Sequence, residues 1–531
     1  MAPPGSRSCL GGIFTRLTCQ KSWAHLCRGQ VQGRRKGVLK ISGPVGSVPE
    51  QLSRSGSFPL AGRTVRYNRA MSSGYGDTNH ATSETVPQQG GGSSPALIPV
   101  FWVACLAAAL LLVSYIQRYG VNALYFDEWN FITLVAHSFA GTLTLGQLWA
   151  QHHENRMFVS NVIALAVIRL THWNDLPLMY LGAAFLVATL VVVCLMFRDM
   201  IGKHPLWMVP VPFIVLTLAQ YQNILWAFQY EWFLMLFCIF LAVYLLGRGE
   251  RLSWKMLAAA AVLGGLSSYS SLQGLIVWAA GFLILLLPSR SWRQRGTWLI
   301  LGVVATGLYF LGYNFHNTGG PPLSLFPHRL PTAAKGAAVA AGSIFPNLRI
   351  LVGTTGYMTL VEAAGVVLWL AGIAVVVAWF RSGRPRGPLA YASALVATTF
   401  CFDILLMPGR LSLASGLGTV SRYTSFNWPL LVGIYVSILL WAGSGKKQEA
   451  AYTLRGALLL AVLVQIFVSA RVGVAAGQSL EAFRIEAAHV TLHYRTEPTS
   501  RLAEYLYPPS GSYARRQAQY LQQYHLNVFS G

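Results

Sequence analysis

From Pro95 onward the sequence is a succession of apolar runs, each near the 17–25 residues that a helix needs to cross a hydrocarbon core. In lipid every backbone polar group has to be satisfied within the chain, so runs of this length read as membrane-spanning helices. They fall near 97–117, 177–197, 205–220, 230–247, 255–271, 273–288, 297–315, 357–380, 389–407, 426–443 and 454–472. Composition agrees: 54% of residues are hydrophobic and only 11% charged, where a soluble domain carries roughly a quarter charged. The expected fold is an all-α polytopic membrane protein with about eleven transmembrane helices. The segments near 205–220 and 273–288 are short, and the chain around Ser267–Gly274 reads as a broken helix.

Basic loops set the expected orientation. Arg198–Lys203, Arg248–Lys255, Arg290–Arg295, Arg381–Arg386 and Lys446–Arg455 alternate with connections poor in Lys and Arg. Under the positive-inside rule these loops and the N-terminus are cytoplasmic, and the C-terminus is exterior, as in an inner (cytoplasmic) membrane protein. The sorting works only if Met157–Trp173 does not span. Asn161, Arg169 and His172 in that segment suit an interfacial helix instead. The exterior face then gathers a large first loop, 118–176, with Gln220–Glu231, Ser267–Gly274, His316–Tyr357, Pro408–Phe426 and the tail.

The net charge of +23 does not indicate nucleic acid. Residues 1–70 hold twelve Lys or Arg against a single acid, Glu50, which is about half of that excess, and most of the rest sits in the short basic loops. The leader is either an organellar transit peptide or an upstream extension of a chain that starts at Met71. Residues 1–95 as a whole are expected to be a disordered basic leader and cytosolic tail, 96–473 the transmembrane domain, and 474–531 a small exterior tail that caps the outer face. Of the seven cysteines, Cys9, Cys19 and Cys27 are in the leader, and Cys105, Cys194, Cys238 and Cys401 are inside apolar segments. No disulfide framework or thiolate metal site follows from them.

With only 17 acidic residues in 531, a cluster of ionisable groups beside a membrane helix stands out. Leu124–Arg156 carries Asp127, Glu128, His152, His153, Glu154, Asn155 and Arg156. Asp127 reads either as the N-cap of an interfacial helix or as a general base for an acceptor hydroxyl, with Glu128 as its orienter or substitute and Trp129 beside them. Thr144 and Gln147 form a capping-box pattern, and the helix they open is expected to carry LWAQHHENR, with His152 and Arg156 on one face. Adjacent His-His-Glu lacks the HExxH spacing, so no protein-only metal site is read. A divalent cation shared between Asp127 and a phosphate stays open, as does a plain solvated turn. Arg156 and the histidines are placed to hold a phosphate leaving group.

Gln222, Trp226, Gln229 and Glu231 lie in a stretch that interleaves amides and aromatics, suited to the hydroxyls and the C–H face of a sugar. Interfacial aromatics alone would account for half of that pattern. Arg422 and Tyr423, in SRYTS, read as an interfacial anchor or as a contact for an anionic headgroup; Asp403 is a possible partner for Arg410. No Walker A loop, GxGxxG, GxSxG or EF-hand pattern is present.

On DEW after the first span, the HHENR loop, the WAFQ segment and SRYT, the chain resembles bacterial membrane glycosyltransferases of the GT-C class. It is closer to a little-characterised bacterial branch than to the oligosaccharyl- or mannosyltransferases, and it has no WWDxG-type motif. The resemblance covers roughly 97–531 in architecture. It implies a polyprenyl-phosphate-sugar donor, an exterior glycan, lipid or protein acceptor of the cell envelope, and a first-loop acid at the active centre, here Asp127 or Glu128, with Glu154 as a further candidate. The alternatives are a transporter or flippase of lipid-linked sugars, which would use within-span acids such as Asp403 and Glu362, and a membrane O-acyltransferase.

Overall fold

The computed structural model describes residues 97–315, 329–345, 348–410, 421–443, 448–508 and 510–530. The expected leader and tail over 1–95, the alternative start at Met71, parts of two expected exterior connections (316–328, 346–347 and 411–420) and the side chain of Arg410 lie outside the described residues. The described chain is mostly helical and belongs to one compact unit. Its helices are α1 (Ile98–Tyr119), α2 (Glu128–Phe139), α3 (Leu145–Trp149), α4 (Phe158–Thr171), α5 (Asp175–Met196), α6 (Pro205–Leu225) and α7 (Ala227–Gly247). There follow α8 (Trp254–Ser268), α9 (Ile276–Leu285), α10 (Trp292–Phe310), α11 (Leu330–Gly342), α12 (Leu348–Arg381), α13 (Pro388–Arg410), α14 (Ser421–Ala442), α15 (Gln448–Leu492), α16 (Thr499–Tyr505) and α17 (Gly511–Gln523).

Among the described residues eight helices are long and apolar enough to cross a membrane: α1, α5, α6, α7, α13, α14 and parts of α12 and α15. These match eight of the expected segments. The other three, near 255–271, 273–288 and 297–315, are the helices α8, α9 and α10, which fall below that threshold of length or apolarity. α4 has 14 residues, α8 has 15 and α9 has 10, each less than the roughly 20 that cross a hydrocarbon core of about 30 Å, so length alone does not set α4 apart from the other two. α6 is built from short pieces because Pro205, Pro210 and Pro212 remove backbone donors along it.

α7 is the centre of the packing. Leu236, Ile239, Phe240 and Val243 are all fully shielded, and its neighbours are α5, α8, α9 and α13. Peripheral helices turn apolar side chains outward: Leu106, Leu110 and Leu111 on α1, Val366, Val367 and Leu370 on α12, Leu460, Val464 and Phe467 on α15. An outward apolar surface of this kind is what a lipid environment requires, and it marks a membrane-associated protein. α11 and α12 approach until backbones touch: a Cβ on Gly365 would lie 1.7 Å from the Ala338 carbonyl oxygen, and one on Gly342 2.0 Å from that of Val361. Small residues at such crossings permit close van der Waals packing in lipid.

One expectation about local structure fails. The LWAQHHENR segment is not one helix. The capping box at Thr144 and Gln147 is present, but α3 stops at Trp149, and the chain enters an antiparallel hairpin of β1 (Gln151–His152) and β2 (Asn155–Arg156), with Gln151 opposite Arg156. His152 and Arg156 therefore do not share a helical face. Tertiary contacts hold the hairpin: Gln151 exchanges hydrogen bonds with the Asn314 backbone at 3.0 and 2.9 Å, and the Arg156 N–H donates to Tyr309 Oη at 2.8 Å. α15 runs unbroken for 45 residues, through the expected boundary at 473, to Leu492. Arg484 on it is fully buried and pairs with Asp175 at 3.0 Å while donating to the Ala123 and Leu225 carbonyls. Beyond it, α17 packs on α2, with Tyr513 Oη donating to the Trp129 carbonyl at 3.5 Å and Gln517 reaching Thr133 at 3.4 Å.

Candidate active site

Connections expected on one face do meet. Asp127, the HHEN hairpin, Phe228, Gln229, Glu231, Trp232, Gln273, Arg422 and Tyr423 line a cavity of about 60 Å³, with Leu406 at its apolar edge. The walls are the start of α7, the end of α13 and the start of α14, so the cavity lies at the ends of apolar helices.

Asp127 occupies the N-cap position of α2, yet its side chain makes no capping hydrogen bond. The preceding Phe126 has φ +48° and His153 at the hairpin turn has φ +51°, left-handed conformations that cost bulky residues about 1–3 kcal/mol and persist where the surroundings impose them. Together they aim Asp127, His152 and His153 at one another: one ligand-type atom from each lies within 4.8 Å of the others. Burial lowers the pKa of His152, against an upward pull from Asp127. Its Nε2 is buried without a hydrogen-bond partner, as are Glu231 Oε2 and Gln229 Oε1 on the same cavity wall. Glu231 and Gln229 are 2% and 4% exposed, and buried polar atoms of this sort are ordinarily satisfied by something. Glu154 lines the cavity beside them, its own carbonyl accepting from Tyr313 Oη at 2.9 Å.

Several expected site residues are placed elsewhere. Glu128 does not line the cavity: its Oε2 accepts from the Tyr125 N–H at 2.6 Å and its Oε1 from the Phe228 N–H at 2.9 Å. Burial raises its pKa, helped by Asp175, while Arg484 and the two N–H donors pull the other way. Trp129 is fully buried behind it, with Nε1 donating to the Leu124 carbonyl at 3.4 Å. Arg156 is also withdrawn, because its two terminal nitrogens donate to the Trp149 and Leu311 carbonyls at 2.9 and 2.8 Å and its guanidinium lies over the Trp149 ring. That makes it a clamp on the hairpin, and it does not line the cavity. Gln222 bonds the SRYT turn, accepting from the Arg422 N–H at 3.3 Å, and Trp226 packs on Phe228. Asn155 lines the cavity while its Oδ1 accepts from Ser271 Oγ at 3.0 Å and the Leu272 N–H at 3.1 Å. Arg422 and Tyr423 both reach the cavity, Tyr423 stacked on Trp232.

Gln273 is a cavity residue that sequence reasoning did not single out, though the broken helix carrying it was legible. The break is real: α8 ends at Ser268 and a 3₁₀ turn, Leu272–Leu275, leads into α9. Gly274 permits it, since a Cβ there would fall 1.8 Å from the Ser267 carbonyl oxygen. Asp403 is fully buried and accepts from Trp369 Nε1 at 3.1 Å, whereas Glu362 pairs with Lys335 at 3.1 Å. Compared with known proteins, the chain matches no protein-family model, and none of the curated proteins matches it.

Proposed function

We propose that the chain is a GT-C-type membrane glycosyltransferase that moves a sugar from a polyprenyl-phosphate donor to a cell-envelope acceptor. The observation that carries this reading is a carboxylate with no helix-capping hydrogen bond, Asp127, sharing a cavity at the ends of apolar helices with one arginine, Arg422. A general base and a phosphate-holding cation at a lipid boundary are what a lipid-linked phosphate leaving group and a hydroxyl acceptor require. In this reading Asp127 takes the acceptor proton, the acceptor oxygen attacks the anomeric carbon, and the bond to the lipid phosphate breaks with Arg422 holding the departing charge. Glu231, Gln229 and Gln273 offer hydrogen bonds to sugar hydroxyls. A cavity of about 60 Å³ admits the reacting carbon and its neighbouring hydroxyls, and the rest of the sugar and its lipid lie at its mouth, since whole ligands usually fill roughly 300–1,000 Å³.

The eleven-span arrangement in an inner membrane, with the N-terminus inside and the C-terminus outside, belongs to the same proposal. α10 supports it by turning Ile300, Val303 and Val304 outward like the longer spans. The transporter alternative draws on Asp403 and Glu362, one enclosed against Trp369 and the other already paired with Lys335. The test supplies labelled polyprenyl-phosphate sugars to membranes holding the wild-type chain. Loss of label from the lipid in wild type is the expected result. Label that crosses sealed vesicles while still attached to lipid would establish transport instead.

A further inference from the structure

The cavity has an unusual charge balance. In a chain of net charge +23, it gathers three carboxyl side chains, Asp127, Glu154 and Glu231, against one guanidinium, Arg422. Two imidazoles stand among them. Like-charged carboxylates in so small a space repel one another unless a cation lies between them. The ligand-type atoms of Asp127, His152 and His153 converge within 4.8 Å, and His152 Nε2 and Glu231 Oε2 are buried without partners on the same wall.

We infer that Asp127, His152 and His153 form a binding site for one divalent first-row transition ion of the zinc type. Two imidazoles and a carboxylate favour such an ion over Mg²⁺ or Ca²⁺, which prefer all-oxygen shells. A tetrahedral ion with bonds of about 2.0–2.2 Å holds its ligands roughly 3.3–3.6 Å apart. The exposed ring of His153, at the tip of a two-residue turn, supplies the small contraction from 4.8 Å. Three protein ligands leave a position open, the arrangement of catalytic sites and not of closed structural ones. Local spacing hides the site because Asp127 is far from the histidines in sequence and the histidines are adjacent, with no helical repeat to present them together.

This inference rests on the same cavity as the transferase reading, with one Asp127 oxygen on the ion and the other left for the acceptor proton, and its test reads metal instead of turnover. The full-length chain, without a histidine tag, is purified in detergent, stripped with a chelator, titrated with Zn²⁺ and assayed for bound metal after gel filtration. Wild type is expected to retain about one ion per chain. Asp127→Asn and His152→Gln should each weaken retention about 100-fold or more, beyond the 10–100-fold typical of residues that only support ligands. His489→Gln with His493→Gln is the control, because those rings lie 4.3 Å apart at the C-terminal end of α15 and form a second imidazole pair among the described residues. Equal thermal melting of the metal-free variants and wild type separates ligand loss from misfolding. Replacement by Co²⁺ gives a second readout, a visible absorption band that disappears in Asp127→Asn. A wild-type chain that retains no ion, or an ion lost only from the His489/His493 variant, overturns the site. An ion bound as expected with no sugar transfer leaves the site standing and removes the transferase reading.

Discussion

Arg156 and Arg422 look alike in the sequence, each next to polar residues near a membrane helix, but the fold gives them opposite employment. Arg156 ties β2 to the Trp149 and Leu311 carbonyls, so Arg156→Gln should destabilise the protein by about 1–3 kcal/mol, the cost of leaving buried acceptors unmade. A lowered melting temperature in detergent is the measurement. Arg422 lines the cavity with its guanidinium over Tyr423. Arg422→Gln should therefore melt within about 0.5 kcal/mol of wild type and show its effect as weakened donor turnover. The sequence could point to both arginines as candidates but could not rank them. The deciding partners, Leu311 for one and the HHEN hairpin and Asp127 across the cavity for the other, come from more than a hundred residues away. The same holds for Glu128, whose second partner is the Phe228 N–H.

Among the secondary-structure elements, the long apolar helices were legible because hydrophobic length alone specifies them in lipid. The hairpin was not, because Thr144 and Gln147 begin a real helix and nothing local announces its stop at Trp149. Contacts with Tyr309, Tyr313 and Asn314 override the helical reading. The 3₁₀ break before α9 allows a sharper expectation. Gly274→Ala places a methyl group against the Ser267 carbonyl, and overpacking of this kind costs about 1–3 kcal/mol. The variant should melt lower and lose turnover together, since Gln273 moves with the turn. Retention of both would mean that the close approach is relaxed in the protein. On α15, Arg484→Ala leaves Asp175 buried without its partner. Loss of one partner of a buried pair costs about 3–5 kcal/mol, and little folded protein should be recovered on gel filtration.

For the molecule as a whole, the account joins sidedness to chemistry. Connections rich in Lys and Arg avoid the cavity, and the polar, aromatic connections converge on it. Thr142, exposed at the end of α2, and Glu250, in the basic loop after α7, lie on opposite faces in the proposed orientation. A membrane-impermeant maleimide should label Thr142→Cys in intact cells and Glu250→Cys only after permeabilisation. The reverse pattern would put the cavity on the cytoplasmic side and remove the lipid-linked donor from the proposal. All seven native cysteines, Cys9, Cys19 and Cys27 of the leader included, give the background, so the parent chain without the added cysteine is labelled alongside both variants.

The most direct test compares Asp127→Asn with Glu128→Gln for donor turnover, each normalised to folded protein. Asp127 has no hydrogen bond from its carboxylate to lose at the N-cap, so metal-free Asp127→Asn should melt like metal-free wild type. Removal of a general base should lower its turnover about 10²–10⁴-fold. Glu128→Gln keeps one acceptor oxygen for two backbone donors; it should melt lower and, per folded molecule, keep most of its turnover. Undiminished turnover in folded Asp127→Asn, or a loss that appears only in folded Glu128→Gln, would contradict the assignment of the cavity carboxylate as the base.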